Sequence, residues 1–333
     1  MKNRSFVEPS SLLPPRVAET GSSTAAPLSP PSEHGDVVRL DVGRGPLLTG
    51  LLRSMRPRQW VKNLLVLAAP ASAGVLTSPP RLLTALTAVG VFCLVASSTY
   101  LVNDVLDAEA DRRHPRKRLR PIAAAVVSVR LALATAALLA VVGVATAVAT
   151  LDMRFVAILL AYAGTTLAYS VWLKHVAILD LVVIALGFVL RAVGGAVVTN
   201  VHASDWFLLV VSFGALLMAG GKRFGEHDAV DVRRDARPVL AAYSSAFLRQ
   251  VVTVAAAAAV VCYVLWAMAP GSPLSNEWRM ASVAPFVVAI LRYVMLVDVG
   301  DGQTPEDAIL GDRMLQVSGL VWAILFGLAV YGG

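Results

Sequence analysis

The feature that most constrains this chain is a succession of apolar runs, each long enough to cross a bilayer. From Leu51 onward nine spans can be marked, at roughly 61–78, 82–102, 127–150, 154–173, 176–199, 205–221, 247–269, 280–297 and 313–332. About 17–25 apolar residues suffice for a transmembrane helix. Inside hydrocarbon only helices or closed barrels satisfy the backbone, and runs without strict alternation are predicted to be helices. The joints SPP (78–80), TLDMR (150–154), TNVHASD (199–205) and PGSPLSNEW (270–278) are rich in residues that break helices. The expected fold is therefore an all-α polytopic membrane protein with nine transmembrane helices. The composition agrees, since only 15% of residues are charged, against about a quarter in soluble domains.

Residues 1–48 differ sharply. They are rich in Ser, Pro, Thr and Glu and cannot bury enough apolar surface to offset the entropy of ordering. They are predicted to form a disordered cytoplasmic tail, with residues 49–333 forming the membrane domain. No apolar stretch follows Lys2 and Arg4, so the tail does not read as a signal peptide. Cys93 and Cys262 both lie within apolar runs and read as small core side chains.

Loop charge sets the expected orientation. If the loops alternate sides, nineteen Lys and Arg fall on the side that precedes the first span, against only Arg81, Arg154 and Arg279 on the other. Positive loops stay inside. The N-terminus is then cytoplasmic and the C-terminus outside, with the plasma membrane as the expected location. The net charge of +7 points to cytoplasmic loops and anionic partners rather than to nucleic acid.

Chemistry concentrates in those basic loops. The segment NDVLDAEADRRHPRKRLRP, residues 103–121, follows the second span directly. If the helix continues, Asp104, Asp107 and Asp111 share one face. Three carboxylates so close repel one another unless a cation sits among them. Oxygen-only donors point to Mg²⁺, held by a few carboxylates together with substrate phosphates. The cations that follow, including Lys117, Arg118 and Arg120, suit phosphate oxygens. Asn103 stands beside the first carboxylate. A second charged segment, GGKRFGEHDAVDVRRDARP at 220–238, places Lys222, Arg223 and Glu226 after the sixth span, with Asp228 and Asp231 beyond. In AYSVWLKHVAILDLVVIALGFVLRAVGG, residues 168–195, Tyr169, Lys174 and Asp180 lie near span ends. Arg191 lies well inside the fifth span, where a charge is expensive and functional by default. Asp180 and Arg191 are eleven apart, about three turns, and share a face. Lys62 in RPRQWVKN sits at the entrance of the first span, beside Trp60. His114, His175 and His227 lie in the same loops but have no spacing suited to zinc.

The run N-D-x-x-D-x-x-x-D at 103–111, placed after the second of nine spans, resembles the UbiA superfamily of intramembrane prenyltransferases. The resemblance covers about residues 50–333. It implies a UbiA-like nine-helix bundle with the active site at its cytoplasmic mouth, an isoprenoid in the bundle and a magnesium-bound diphosphate above it. Family members usually carry D-x-x-x-D after the sixth span, where this chain reads KRFGEHDAVD. Together with RPRQWVKN, YSVWLKHVAILD, GFVLRAVGG and GGKRFGE, this looks like the branch that transfers phosphoribose to a polyprenyl phosphate. That resemblance implies phosphoribosyl pyrophosphate (PRPP) and polyprenyl (decaprenyl) phosphate as substrates. It also implies Mg²⁺ on Asp104, Asp107 and Asp111, and a product destined for the arabinan of cell walls. Asp104, Asp107 and Asn103 would be catalytic. Lys62, Lys117, Arg118, Arg120, Tyr169, Lys174, Arg191, Lys222, Arg223 and Glu226 would bind substrate. The alternatives are a prenyltransferase that moves a polyprenyl group onto an aromatic acceptor, and a lipid flippase or transporter. Midplane charge on broken helices would favour the latter, whereas charge here gathers at one face. Homo-oligomer formation is left open.

The orientation is testable with single cysteines at Arg116 and Arg234. An impermeant thiol reagent should leave both unlabelled in intact cells and modify them after permeabilisation. Ready labelling in intact cells would invert the topology.

Overall fold

The computed structural model describes residues 47–115, 117–228, 238–269, 276–300, 308 and 311–332. These belong to one compact unit, Arg44–Gly333. The predicted tail lies outside the described residues as far as residue 46, as do Arg116 and Asp231. Among the described residues eight helices are long and apolar enough to cross a membrane. They match the second to ninth predicted spans: α3 (Pro79–Leu106), α5 (Val129–Thr150), α6 (Met153–Val171), α7 (Leu179–Val198), α8 (Asp205–Asp228), α9 (Ser245–Met268), α10 (Asn276–Asp298) and α11 (Arg313–Tyr331). Shorter helices are α1 (Leu47–Ser54), α2 (Ala68–Ser72) and α4 (Ala108–Arg113).

The joints read from sequence act as start signals. Pro79 opens α3 in the first turn, where its missing N–H costs nothing. The side chains of Ser128, Asp152, Ser244 and Asp312 accept backbone N–H bonds at the starts of α5, α6, α9 and α11, satisfying donors the helices leave orphaned. Side-chain bonds join the end of α3 to the α6–α7 joint, the end of α8 to the starts of α7 and α9, the end of α10 to the start of α9, and α10 to the start of α11, so successive long helices alternate in direction. The last turns of α3, α6, α8 and α10 and the first turns of α5, α7, α9 and α11 gather at one end, which is the end that carries the charged loops.

The first predicted span takes a different form. Residues Pro57–Leu67 form a 3-10 helix of 11 residues, followed by α2 and a turn at Val75–Thr77. Such helices seldom exceed four residues, and their side chains repeat every three. The sequence matches that period. Trp60, Asn63 and Val66 point inward, and Val61 and Leu64 point outward. Trp60 donates Nε1–H to Ser97 Oγ at 3.0 Å, and Asn63 donates to Cys93 Sγ at 3.2 Å. At about 2.0 Å per residue, continued by α2 at about 1.5 Å, the segment rises about 30 Å, close to a bilayer's hydrocarbon thickness.

Gly195 of α7 makes that packing possible. A Cβ built there would lie 1.7 Å from the carbonyl oxygen of Val66, so the backbones touch and no side chain fits. Gly164 of α6, by contrast, has open space around it. Gly195→Ala should lower stability by about 3 kcal/mol, at the upper end of overpacking costs, whereas Gly164→Ala should be neutral. Thermal unfolding in detergent checks both. Equal melting temperatures for the two variants would refute the close approach.

Candidate functional site at the charged end of the bundle

Two charged clusters lie at this end. The first forms where α3 hands over to α4. Asp107 closes α3 with φ −86° and ψ −4°, and Asp111 N–H bonds the carbonyl of Asp107 at 2.8 Å. Asp104 and Asp111 are buried and share one cation. Arg120 Nη1 lies 3.4 Å from Asp104 Oδ1 and 2.6 Å from Asp111 Oδ2. Arg56 adds a second cation, with Nη2 at 2.5 Å from Asp104 Oδ1. Asp107 turns elsewhere. It accepts from Asn103 Nδ2 at 3.1 Å and from Lys174 Nζ at 2.7 Å. The three carboxylates thus divide their partners: Asp104 and Asp111 share Arg120, and Asp107 takes Asn103 and Lys174. The cations divide them rather than a lost turn, since i→i−4 bonds run through this point, from Asp107 N–H to the Asn103 carbonyl at 2.9 Å and from Asp111 N–H to that of Asp107.

The second cluster centres on Arg223. Helix α8 runs on to Asp228, seven residues beyond the predicted span, so Lys222, Arg223 and Glu226 are helical. Arg223 and Asp180 are both fully buried. Arg223 donates Nε–H to Asp180 Oδ2 at 2.5 Å and Nη2–H to Asp180 Oδ1 at 2.7 Å. It also donates to the Tyr169 hydroxyl at 2.5 Å and, through Nη1, to Glu226. Tyr169 in turn donates to Asp180 at 2.9 Å. The fork is spent on protein acceptors. The expectation that Arg223 reaches a substrate phosphate is therefore corrected, because a buried carboxylate claims it and desolvation demands that pairing. Lys222 and Glu226 remain half-buried.

Segment 174–180 joins the clusters, since Lys174 holds Asp107 and Asp180 holds Arg223. Other expected residues are scattered. Arg118 is exposed and Lys117 half-buried. The Lys62 ammonium donates to Gln59 at 2.5 Å and lies 6.0 Å from the Phe188 ring centre. Arg191 lies about 16 Å along α7 from Asp180 at 1.5 Å per residue. It is buried and donates to Asn63 Oδ1 at 2.7 Å, to the Gly187 carbonyl at 2.6 Å and to the Tyr162 hydroxyl at 2.9 Å. It does not pair with Asp180, and it braces the 3-10 segment against α6 and α7. Arg56 was missed as a site residue. Its backbone is left-handed at φ 55° immediately before Pro57, and the Arg-Pro pair of RPRQWVKN is the only sequence hint of that.

Among the described residues no three His, Cys, Asp or Glu side chains are gathered closely enough to hold a metal alone. The donors are all carboxylate and amide oxygens, and the Asp107 side chain is 21% exposed at the mouth. That set fits Mg²⁺ shared between one or two carboxylates and a substrate's phosphates, and does not fit a closed protein cage.

An alternating bundle of apolar helices with carboxylates and cations concentrated at one end defines a multi-span membrane transferase. The chain belongs to the UbiA prenyltransferase family, whose model matches residues 64–330. It is 44% identical to the decaprenyl-phosphate phosphoribosyltransferase of Mycobacterium tuberculosis over 86% of this chain and 96% of that one. Identity to the enzyme of the same name from Corynebacterium glutamicum is 40%, over 86% and 88%. Among solved structures, a UbiA homolog from Archaeoglobus fulgidus bound to GPP and Mg²⁺ superposes with a TM-score of 0.63 at 19% identity, covering 85% of this chain and all of that one. The same protein has also been solved with Cd²⁺ (TM-score 0.61).

Breaking a buried pair strands its partner charge and costs about 3–5 kcal/mol. Arg223→Met should lose that much stability, and adding Asp180→Leu should restore most of it. Thermal unfolding decides. A double variant no more stable than the single would show that the pair is not what stabilises this region.

Proposed function

We propose that the chain transfers a 5-phosphoribosyl group from PRPP to a polyprenyl phosphate of the decaprenyl type, releasing pyrophosphate, as a step toward cell-wall arabinan. The observation that carries this reading is the closure of Asp180 and Glu226 onto Arg223. A prenyl diphosphate bridged by metal needs carboxylates on both sides. Here the carboxylates of one side, Asp180 and Glu226, are already bonded to Arg223, and the other side offers carboxylates among Arg56, Arg120 and Lys174. A donor with a diphosphate and a separate 5-phosphate suits one carboxylate-metal position surrounded by cations. The relatives named for this reaction point the same way.

In this reading Asp104 and Asp107, with Asp111 behind them, would hold Mg²⁺ at the diphosphate, and Asn103 would orient Asp107. The metal, when bound, neutralises charge on the departing pyrophosphate. Lys174, Arg120, Lys222, Lys117 and Arg118 would offer donors to the phosphates. The C1–O bond to pyrophosphate breaks and a C1–O bond to the lipid phosphate forms on the opposite face. The nucleophile is already an anion, so no strong general base is required, and the residues act by positioning and electrostatics. The mouth would face the cytoplasm of the plasma membrane, with the C-terminus outside, as the loop charges require.

Purified protein incubated with ribose-labelled PRPP, Mg²⁺ and decaprenyl phosphate should move label into the lipid phase. Asp104→Ala and Asp107→Ala should each reduce transfer ~10²-fold or more, and Asp111→Ala less. Consumption of a prenyl diphosphate with an aromatic acceptor, and none of PRPP, would overturn the assignment in favour of prenyl transfer.

A further inference from the structure

The segment that connects the two clusters contains a strained turn. Ile178 has φ 70° and ψ −50°, a region that β-branched residues almost never occupy. The Leu179 N–H bonds the Ala177 carbonyl at 2.9 Å, which makes residues 177–179 a γ-turn of the rare positive-φ kind. Strain of this sort persists only where the surroundings over-determine it, and it concentrates at functional sites.

What holds it comes from another part of the chain. The Ile178 N–H donates to the Tyr243 hydroxyl at 2.7 Å. Tyr243 lies between the 3-10 helix Pro238–Ala242 and α9. Its ring is buried among Leu181, Phe224 and Leu248 and is stacked on Phe247 at 5.7 Å. The hydroxyl is therefore delivered from a rigid base. Four residues before Ile178, Lys174 grips Asp107, and two residues after it, Asp180 grips Arg223. The turn sets the spacing between the two clusters.

We infer that Tyr243 is a positioning residue: its hydroxyl latches the strained Ile178 turn and thereby fixes the Asp107–Lys174 cluster relative to the Asp180–Arg223–Glu226 cluster. Its kinetic consequence rests on the phosphoribosyl transfer proposed above. Misplacing one cluster against the other penalises the transition state more than either bound substrate, so loss of the latch acts on kcat.

Three variants test this: Tyr243→Phe, Ile178→Gly and their combination. The Ile178 side chain is 58% exposed, so glycine there removes little packing, and glycine adopts positive φ without strain. Tyr243→Phe should speed amide exchange across residues 176–180 in the substrate-free protein. It should also lower kcat about tenfold, with the PRPP KM changed less than threefold. Adding Ile178→Gly should return both towards wild type, because the relaxed turn no longer needs its latch. Unchanged exchange in Tyr243→Phe would overturn the latch, and unchanged kinetics would overturn the positioning role. A defect that glycine leaves unrepaired would overturn the strain argument. If the wild type ignores PRPP, the proposed function fails instead, and the exchange measurement still decides whether the latch exists.

Discussion

A carboxylate at the edge of a bilayer persists as an anion only beside a cation, and this requirement organises the charged end of the molecule. In the low-dielectric interior the desolvation penalty for an unpaired ion is several kcal/mol. Asp104, Asp107 and Asp180 each find a cation on a different segment. Asp104 takes Arg56 from before the first span and Arg120 from the loop beyond α4, Asp107 takes Lys174 from the α6–α7 joint, and Asp180 takes Arg223 from α8. Apolar packing against lipid could leave these loops anywhere on the membrane surface. Charge pairing draws them to one mouth and fixes which side chains remain half-exposed there. The same pairs that stabilise the loops thus delimit what a phosphate-bearing substrate would meet.

The helices were legible because their signal is local. Apolar length and Pro and Gly joints place the spans from the second onward within a few residues of α3, α5–α7 and α9–α11, whereas α8 runs seven residues beyond its span. The first span was misread as an α-helix because apolar length does not distinguish α from 3-10. The distinguishing mark was the three-residue spacing of Trp60, Asn63 and Val66, whose meaning depends on Gly195, far along the chain. The carboxylates of 103–111 were legible as a cluster, but their division was not. Which cation each carboxylate takes depends on Arg56, Arg120 and Lys174, which the fold brings from elsewhere in the chain. Arg223 was misread for a related reason. A Lys-Arg pair at a span end looks like a phosphate ligand until the fold brings a buried Asp180 within 2.5 Å of it.

Arg191 shows how the interior supports the mouth. It is a buried cation whose hydrogen-bond partners among the described residues are neutral: an amide oxygen, a backbone carbonyl and a phenol, with the Tyr162 ring 4.5 Å from its guanidinium carbon. Hydrogen bonds from a charged group are worth about 1.5–3 kcal/mol each, and a cation over an aromatic face adds about 1–2 more. Together they offset much of the cost of burial. What this arrangement secures is register. A 3-10 helix turns 120° per residue, so a slip of one residue in Pro57–Leu67 would swing Trp60, Asn63 and Val66 off their partners together. Asn63 is held by Arg191, and Val66 is held against Gly195. Arg56, at the head of the same segment, is then held within reach of Asp104. The position of a cation at the mouth is in this sense set by contacts near the middle of the bundle, which is why a glycine and an asparagine far from the charged end belong to the account of that end.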